Sequence, residues 1–292
     1  MESLKVAFLG PAGTFSDDAL RAAAERAYAG VVPMPVATIH DAVVAVAGGQ
    51  VDRALVPFEN SIEGSVRPAL DALAFDAESV SIAGEHDHPI TQAVIARTEV
   101  GLDEIEVVVS HPQPSAQCAR FLRAEMPQAE VRGADSTASA VREVAESEGT
   151  WAALGVASAA ALYGCVVLRE GVEDEPGNLT RFVWLAREGV RSEPDRGSGG
   201  GRWRTTLIFS ELGADHPGAL VDALTEFSDR DVNLTRIESR PRRFELGRYM
   251  FFVDIDGADT DLALAEAIGA LRNKAENVRV LGSYPVAGGP LP

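Results

Sequence analysis

Short apolar runs alternate with helix-length amphipathic patterns between residues 5 and 163, and this limits the fold more than any other feature of the chain. Residues 5–9, 54–56, 106–109 and 151–154 read as buried strands. Helical patterns begin at Asp17, with Ser16 as N-cap, and after Ser65, and they cover 41–47, 115–124, 136–145 and 156–163. Alternation of this kind predicts an α/β chain with a mainly parallel sheet, because parallel neighbours need a connection long enough to hold a helix. Ligands of such sheets bind beyond the carboxyl ends of the strands, where loops run into helix N-termini.

Residues 187–202 break the pattern. They carry scattered charges from Arg187 to Arg202, the proline Pro194 and the run Gly197-Ser198-Gly199-Gly200-Gly201, with no apolar period, and read as an inter-domain linker. Beyond it, 203–209, 232–239, 249–255 and 278–281 read as strands, and 218–227 and 262–271 as helices. The order βαββαβ is the ferredoxin-like split unit. The tail shows no catalytic-looking pair and reads as a binding module.

Charge narrows the partners. Lys plus Arg number 26 against 44 Asp plus Glu, a net charge of -18. That argues against nucleic acid and anionic membranes. A small anion has to be held locally, by a few arginines and backbone N–H groups. Cys118 and Cys165 make neither a disulfide framework nor a zinc knuckle. The first residues lead straight into a strand without a signal-peptide core, and no run approaches a span of ~20 apolar residues. A cytoplasmic protein is the expectation.

The strand-end rule selects three loops. Gly10-Pro11-Ala12-Gly13-Thr14-Phe15-Ser16 follows the first strand, with neither the dinucleotide fingerprint nor a P-loop ending. It reads either as an anion-holding turn or as a plain strand-to-helix turn. Asn60-Ser61, in Pro57-Phe58-Glu59-Asn60-Ser61-Ile62-Glu63-Gly64-Ser65, reads either as a turn cap or as a fixed donor and acceptor that orients a ligand. Ser110-His111-Pro112-Gln113, with Gln117 one turn on, is the third. A fourth polar segment, Asn178-Leu179-Thr180-Arg181-Phe182, opens an apolar strand. His86-Asp87-His88 reads as an exposed stretch before Pro89 in preference to a metal site. No HExxH, Cys/His cluster or G-x-S-x-G elbow occurs. No metal and no cofactor are expected.

Together these segments resemble the bacterial prephenate dehydratases. The match lies in Gly10 to Ala19, in Val56 to Val66, in Ser110-His111-Pro112-Gln113 with Gln117-Cys118, and in Asn178 to Phe182. The tail resembles an ACT regulatory domain through Pro217-Gly218-Ala219-Leu220, Asn233-Leu234-Thr235 and Ile237-Glu238-Ser239-Arg240-Pro241. The resemblance implies a two-lobed catalytic part of the periplasmic-binding-protein type (type II) and a ferredoxin-like βαββαβ ACT domain. The expected division is 1–82 with 167–187 for the first lobe, 83–166 for an inserted second lobe, 188–202 for the linker and 203–285 for the ACT domain.

By the same resemblance the chain is a cofactor-free carbon–oxygen lyase that converts prephenate to phenylpyruvate and is inhibited by L-phenylalanine. Thr180 would assist departure of the ring hydroxyl. Thr14, Asn60, Ser61, Ser110, Gln117, Arg181 and Phe182 would line the substrate site. Along an extended strand Thr180 and Phe182 share a face and Arg181 takes the other. Arg181 then either holds a carboxylate from an irregular strand start or pairs with an acid behind the cleft. Gly218, Ala219, Leu220, Asn233, Leu234, Glu238 and Ser239 would hold phenylalanine between two tails, in a homodimer or homotetramer. The tail is expected to act without reaching the cleft, and a chain ending near Arg187 to keep some activity. Arogenate dehydratase and a non-catalytic amino-acid sensor are the alternatives.

Overall fold

In the computed structural model, which describes residues 3–27, 30–189, 202–212, 217–243 and 246–287, the alternating region forms two sheets and the tail a third. The first lobe runs β1 (Leu4–Leu9), α1 (Phe15–Ala27), β2 (Val31–Val36), α2 (Ile39–Ala47), β3 (Arg53–Asn60), β4 (Gly64–Ser65), α3 (Arg67–Phe75) and β5 (Val80–Pro89). The chain then builds the second lobe from β6 (Ala93–Ala96), β7 (Val107–Ser110), α4 (Pro112–Gln117), α5 (Ala119–Glu125), β8 (Glu130–Gly133), α6 (Thr137–Glu146), β9 (Trp151–Gly155), α7 (Ser158–Tyr163) and β10 (Val166–Glu170). It returns as β11 (Leu179–Arg187), which lies between β3 and β5 in the order β2-β1-β3-β11-β5. The second sheet has the order β10-β6-β9-β7-β8.

Several expectations are corrected here. The sheets are mixed, because β11 runs antiparallel to both β3 and β5, and β6 antiparallel to β9 and β10. Insertion of one lobe into the other causes this, since the returning strand re-enters from the opposite end. The crossings fall at 90–92 and 171–178, so the boundary at 82 lies inside β5 and that at 167 inside β10, which pairs with β6. Helix α1 starts at Phe15, ahead of Asp17, with Thr14 Oγ1 facing the Asp17 N–H at 3.4 Å, so Thr14 takes the role expected of Ser16. The helix expected over 115–124 is two, and Asp174 explains the restart, because its carboxylate accepts the Arg120 and Phe121 N–H groups. Most of the expected linker, 190–201, lies outside the described residues.

The tail runs β12 (Trp203–Ser210), α8 (Ala219–Ser228), β13 (Leu234–Pro241), β14 (Tyr249–Asp256), α9 (Leu262–Leu271) and β15 (Asn277–Pro285), with sheet order β13-β14-β12-β15. Alternation along β14 assigns its two faces. Val253 and Ile255 pack with Phe227, Leu264 and Ile268 of the helices. Met250 and Phe252, with Leu281 and Tyr284 of β15, share a core with Leu70, Leu73, Val183 and Leu185 of the first lobe. β15 lies so close to β5 that a Cβ on Gly282 would collide with the Ile82 carbonyl. The tail is therefore built into the first lobe, which corrects the expectation of a compact unit held only by a linker. No helix among the described residues is long and apolar enough to cross a membrane.

Candidate active site

The antiparallel entry of β11 brings its first residues to the carboxyl end of β3. Thr180, buried, pairs with Asn60 on one side and His88 on the other. Asn60 has a fixed orientation, because its Oδ1 accepts the Ile62 and Glu63 N–H groups, each at 2.9 Å. Its Nδ2 must then point back to the start of β11, where it meets Asn178 Oδ1, just before the strand, at 2.7 Å and Thr180 Oγ1 at 2.9 Å. Thr180 Oγ1 is the acceptor in that contact, so its hydroxyl retains a donor. Ser61 completes the support, since Leu179 N–H donates to its Oγ at 3.0 Å.

Thr180 opens onto a cleft of about 660 Å³ between the lobes. Four helices of eight residues or more begin on its walls: α1 at Phe15-Ser16, α2 at Ile39, α3 at Arg67-Pro68 and α6 at Ser136-Thr137. Their positive dipole ends favour anions. The start of α3 has no side-chain cap, but Pro68 lacks an N–H and the Ala69 and Leu70 N–H groups bond the Val66 carbonyl, so this end acts on an anion mainly through its dipole. This is the local anion field that a chain of charge -18 requires. Phe182, two residues from Thr180, forms an apolar wall and stands edge-on to His88 at 6.2 Å.

His86 and His88 are buried in β5, which corrects the reading of that stretch as exposed. Burial is tolerated because His88 Nε2 lies 3.1 Å from Asp18 Oδ2, while Asp18 Oδ1 accepts from Ser158 Oγ at 2.7 Å. The hydrogen bond to His88 holds the Asp18 carboxyl below its usual range, against the effect of burial. Ser158 belongs to the second lobe, so this contact ties the lobes together. Tyr163 adds another tie by donating to the Ala12 carbonyl at 2.9 Å. Gly13 makes the approach possible, since it has φ 83° and a Cβ there would press on Tyr163 and Leu162.

Of the residues expected in the substrate site, Thr14, Asn60, Gln117, Thr180 and Phe182 line the cleft. Thr14 Oγ1 is engaged with the Pro11 carbonyl at 3.0 Å and shapes the loop. Three others are placed elsewhere. Ser61 is exposed beside the cleft and braces Leu179. Ser110 is fully buried and donates to the Leu154 carbonyl at 3.2 Å, because the last residue of β7 points into its own sheet. Arg181 points to the back of β11, as strand alternation dictates, and meets Asp254 of β14 at 2.5 Å, Glu59 at 2.8 Å and Glu85 at 3.5 Å. Burial opposes the Arg181 charge, but the surrounding acids outweigh it and raise its pKa. Burial raises the Glu85 pKa, against the pull of Arg204 and Arg181.

The tail reaches this region with side chains, which corrects the opposite expectation. Glu238 accepts from Ser65 Oγ at 3.2 Å, and Ser65 lines the cleft. Arg236 binds Asp254 at 2.8 Å, and Arg240 holds Asp71 of α3 with two nitrogens. The residues expected to hold phenylalanine are spread along the tail. Gly218, at φ 97°, Ala219 and Leu220 open α8. Asn233 Nδ2 donates to Asp256, Leu234 packs on the helical face, and Ser239 is exposed on the opposite side of β13 from Glu238. Sequence reasoning missed Gln92, Ser136, Thr137 and Asn178 of the cleft. The strand-end rule would have found Ser136, but β8, with the sequence Glu130-Val131-Arg132-Gly133, carries too few apolar residues to read as a strand.

Comparison with known proteins agrees with this geometry. The prephenate dehydratase family profile matches residues 6–190, and the ACT domain profile residues 206–273. The prephenate dehydratase of Mycolicibacterium vanbaalenii is 40% identical over 291 residues, 96% of this chain and 90% of that one. The crystal structure of prephenate dehydratase from Arthrobacter aurescens, in complex with L-Phe, has a TM-score of 0.84 at 36% identity, over 96% of this chain and 89% of that one. A further structure, of GqqA, described as a novel type of quorum quenching acylase, has a TM-score of 0.84 at 30% identity, over 97% of this chain and 98% of that one. With a catalytic profile over more than half its length and such relatives along nearly all of it, the chain belongs to the prephenate dehydratase family.

Proposed function

We propose that the cleft converts prephenate to phenylpyruvate, carbon dioxide and water, and that L-phenylalanine inhibits this through the C-terminal ACT domain. The observation that carries the reading is the pinned Asn60 amide, which donates to the Thr180 oxygen and leaves the hydroxyl of this cleft residue able to donate. Helix N-termini hold the carboxylates, and Phe182 supports the ring. As the bond from ring carbon to carboxylate breaks, its electron pair enters the ring and expels the hydroxyl at the opposite carbon. That oxygen gains negative charge, and Thr180 meets it with a hydrogen bond that strengthens in the transition state. One proton taken up overall lets it leave as water. Aromatisation supplies the driving force, so no strong acid is required.

The family membership and the L-Phe complex of the Arthrobacter aurescens relative support both halves of this reading. The acylase description of GqqA gains no support from the cleft. Among the described residues His111 is the cleft's histidine, and its Nδ1 accepts the Gln113 N–H at 3.3 Å as the cap of α4. Operation without metal or cofactor, a cytoplasmic location and assembly as a dimer or tetramer belong to the same proposal. The exposed Ile237 and Tyr249, on and beside the edge strand β13, support assembly. The deciding experiment is incubation of the purified protein with prephenate, in buffer containing EDTA, while phenylpyruvate absorbance is followed. Product should form, and added L-phenylalanine should slow it. Absence of product, with or without a divalent ion, defeats the reading.

A further inference from the structure

Gln92 lies where the chain crosses from β5 to β6. It is 1% exposed, and its residue lines the cleft. Its backbone is held on both sides by the returning crossing, since its N–H donates to Glu173 at 2.9 Å and its carbonyl accepts from Val172 at 3.2 Å. Its side chain is less settled. Nε2 reaches Gln117 Oε1 at 3.4 Å, and Oε1 is buried without a partner. Among the described residues it is the only such atom on a cleft-lining side chain. An amide oxygen left this way is unfavourable, and a bound ligand or a turned amide can relieve it.

Strand pairing shows which end of a ligand Gln92 meets. Thr180 pairs with His88, and Ile90 N–H then bonds the Asn178 carbonyl, so the ladder runs on away from Thr180. Gln92 is two residues further. Residues 90–92 are no longer strand, so Gln92 lies in the crossing beyond the end of β5, on the same cleft as Thr180 but displaced from its pairing position. With the ring hydroxyl at Thr180, the side chain on the opposite ring carbon points toward Gln92. Prephenate carries a ketone there, which accepts hydrogen bonds. The amino analogue, L-arogenate, carries an ammonium, which donates them.

Building on the prephenate reading above, we propose that Gln92 is the residue that reads this side-chain group and sets the preference between the two substrates. With prephenate bound, both this amide and that of Gln117 turn over, so that Gln92 Nε2 donates to the ketone oxygen and Gln92 Oε1 accepts from Gln117 Nε2. Each carboxamide carries both a donor and an acceptor, so the contact between the two glutamines survives the turn.

The test is steady-state kinetics with prephenate and L-arogenate on the full chain, for wild type, Gln92→Glu and Gln92→Leu. Gln92→Glu can accept but not donate at neutral pH. Its KM for prephenate should rise by about tenfold or more, and its ratio of kcat/KM for arogenate over prephenate should shift at least tenfold toward arogenate. Gln92→Leu should raise the prephenate KM about tenfold, the scale of one neutral hydrogen bond, with kcat within threefold. A residue that merely plugs the crossing would not move the substrate ratio. Should the glutamate variant not fold, the leucine variant decides alone, through its split of KM from kcat. Variants that fold and keep the wild-type KM and substrate ratio overturn the inference by itself. A wild type inactive on prephenate overturns the functional reading, and this inference with it.

Discussion

Replacing Arg181 with methionine separates the two roles open to an arginine beside Thr180. Methionine keeps apolar bulk under Phe58, over which the guanidinium now sits at 5.3 Å. It removes the contacts to Asp254, Glu59 and Glu85 from a side chain only 8% exposed. The acids are not all orphaned, because Asp254 keeps Arg236 at 2.8 Å and Glu85 keeps Arg204. The loss therefore falls at the low end for a broken buried pair, about 3 kcal/mol. For a chain of this size, with ~2 °C per kcal/mol, Tm should drop by roughly 6 °C. The KM for prephenate should stay within about threefold, since Arg181 does not line the cleft. A carboxylate clamp would instead contribute ~1.5–3 kcal/mol, about 10- to 100-fold in KM. Thermal unfolding and initial rates of phenylpyruvate formation on the same preparation read both quantities. An unchanged Tm together with a hundredfold rise in KM would refute the assignment. A double-mutant cycle with Asp254→Asn should show ~1 kcal/mol or more of coupling, because the two side chains touch.

Thr180→Ala should lower kcat by ~10²–10³ with little change in KM, and Thr180→Ser should retain more activity; a wild-type kcat in the alanine variant would remove the residue from the mechanism. Asn60→Asp puts an acceptor where the amide nitrogen was, so the Thr180 hydroxyl turns to it and away from substrate, and kcat should fall about 10²-fold; kinetics equal to wild type would show that the amide orientation is irrelevant. Gly282→Ala drives a methyl into the Ile82 carbonyl, so hydrogen exchange should rise together in β5 and β15, and unaltered exchange in both would contradict the close packing. Burial raises the Asp254 carboxyl, but Arg181 and Arg236 overcome it and hold it well below the usual range. Its stabilisation is thus full above the unfolded value of about pH 4 and lost as pH falls further, so wild-type Tm should drop below pH 4 more steeply than that of Asp254→Asn.

Local pattern carried much of this structure. Alternation along β11 placed Thr180 and Phe182 on one face and Arg181 on the other, but it left open whether Arg181 held a carboxylate or paired with an acid behind the cleft, and only the contacts to Asp254, Glu59 and Glu85 give the second. The βαββαβ order of the tail followed from period and turn residues alone. What was illegible depends on contacts distant in sequence. The polar stretch Glu85-His86-Asp87-His88 looks solvated until Asp18 and Arg204 arrive to pair with it. Ser110 sits in a motif, but only the register of β7 shows that its hydroxyl turns inward. The docking of the tail had no local signal, because Gly282 meets β5 across about 200 residues of chain. The expectation for a chain ending near Arg187 changes accordingly. Such a chain would expose the core that Met250, Phe252, Leu281 and Tyr284 cover, and would leave Arg181 without Asp254.

The position of β11 also sets an order of events during synthesis. β3 and β5 are not neighbours in the finished sheet, and the strand that joins them begins at Leu179, 90 residues after β5 ends at Pro89. At ~5–20 residues per second, the ribosome takes roughly 5–20 s to supply it. The second lobe is contiguous and can fold in that interval. The first lobe waits with a gap the width of one strand, its backbone groups on β3 and β5 unpaired. Even then one face stays uncovered until β14 and β15 have emerged, because their side chains complete the same core. Thr180 is therefore set in place late, on a half-built sheet, and the first lobe, although made first, is completed last.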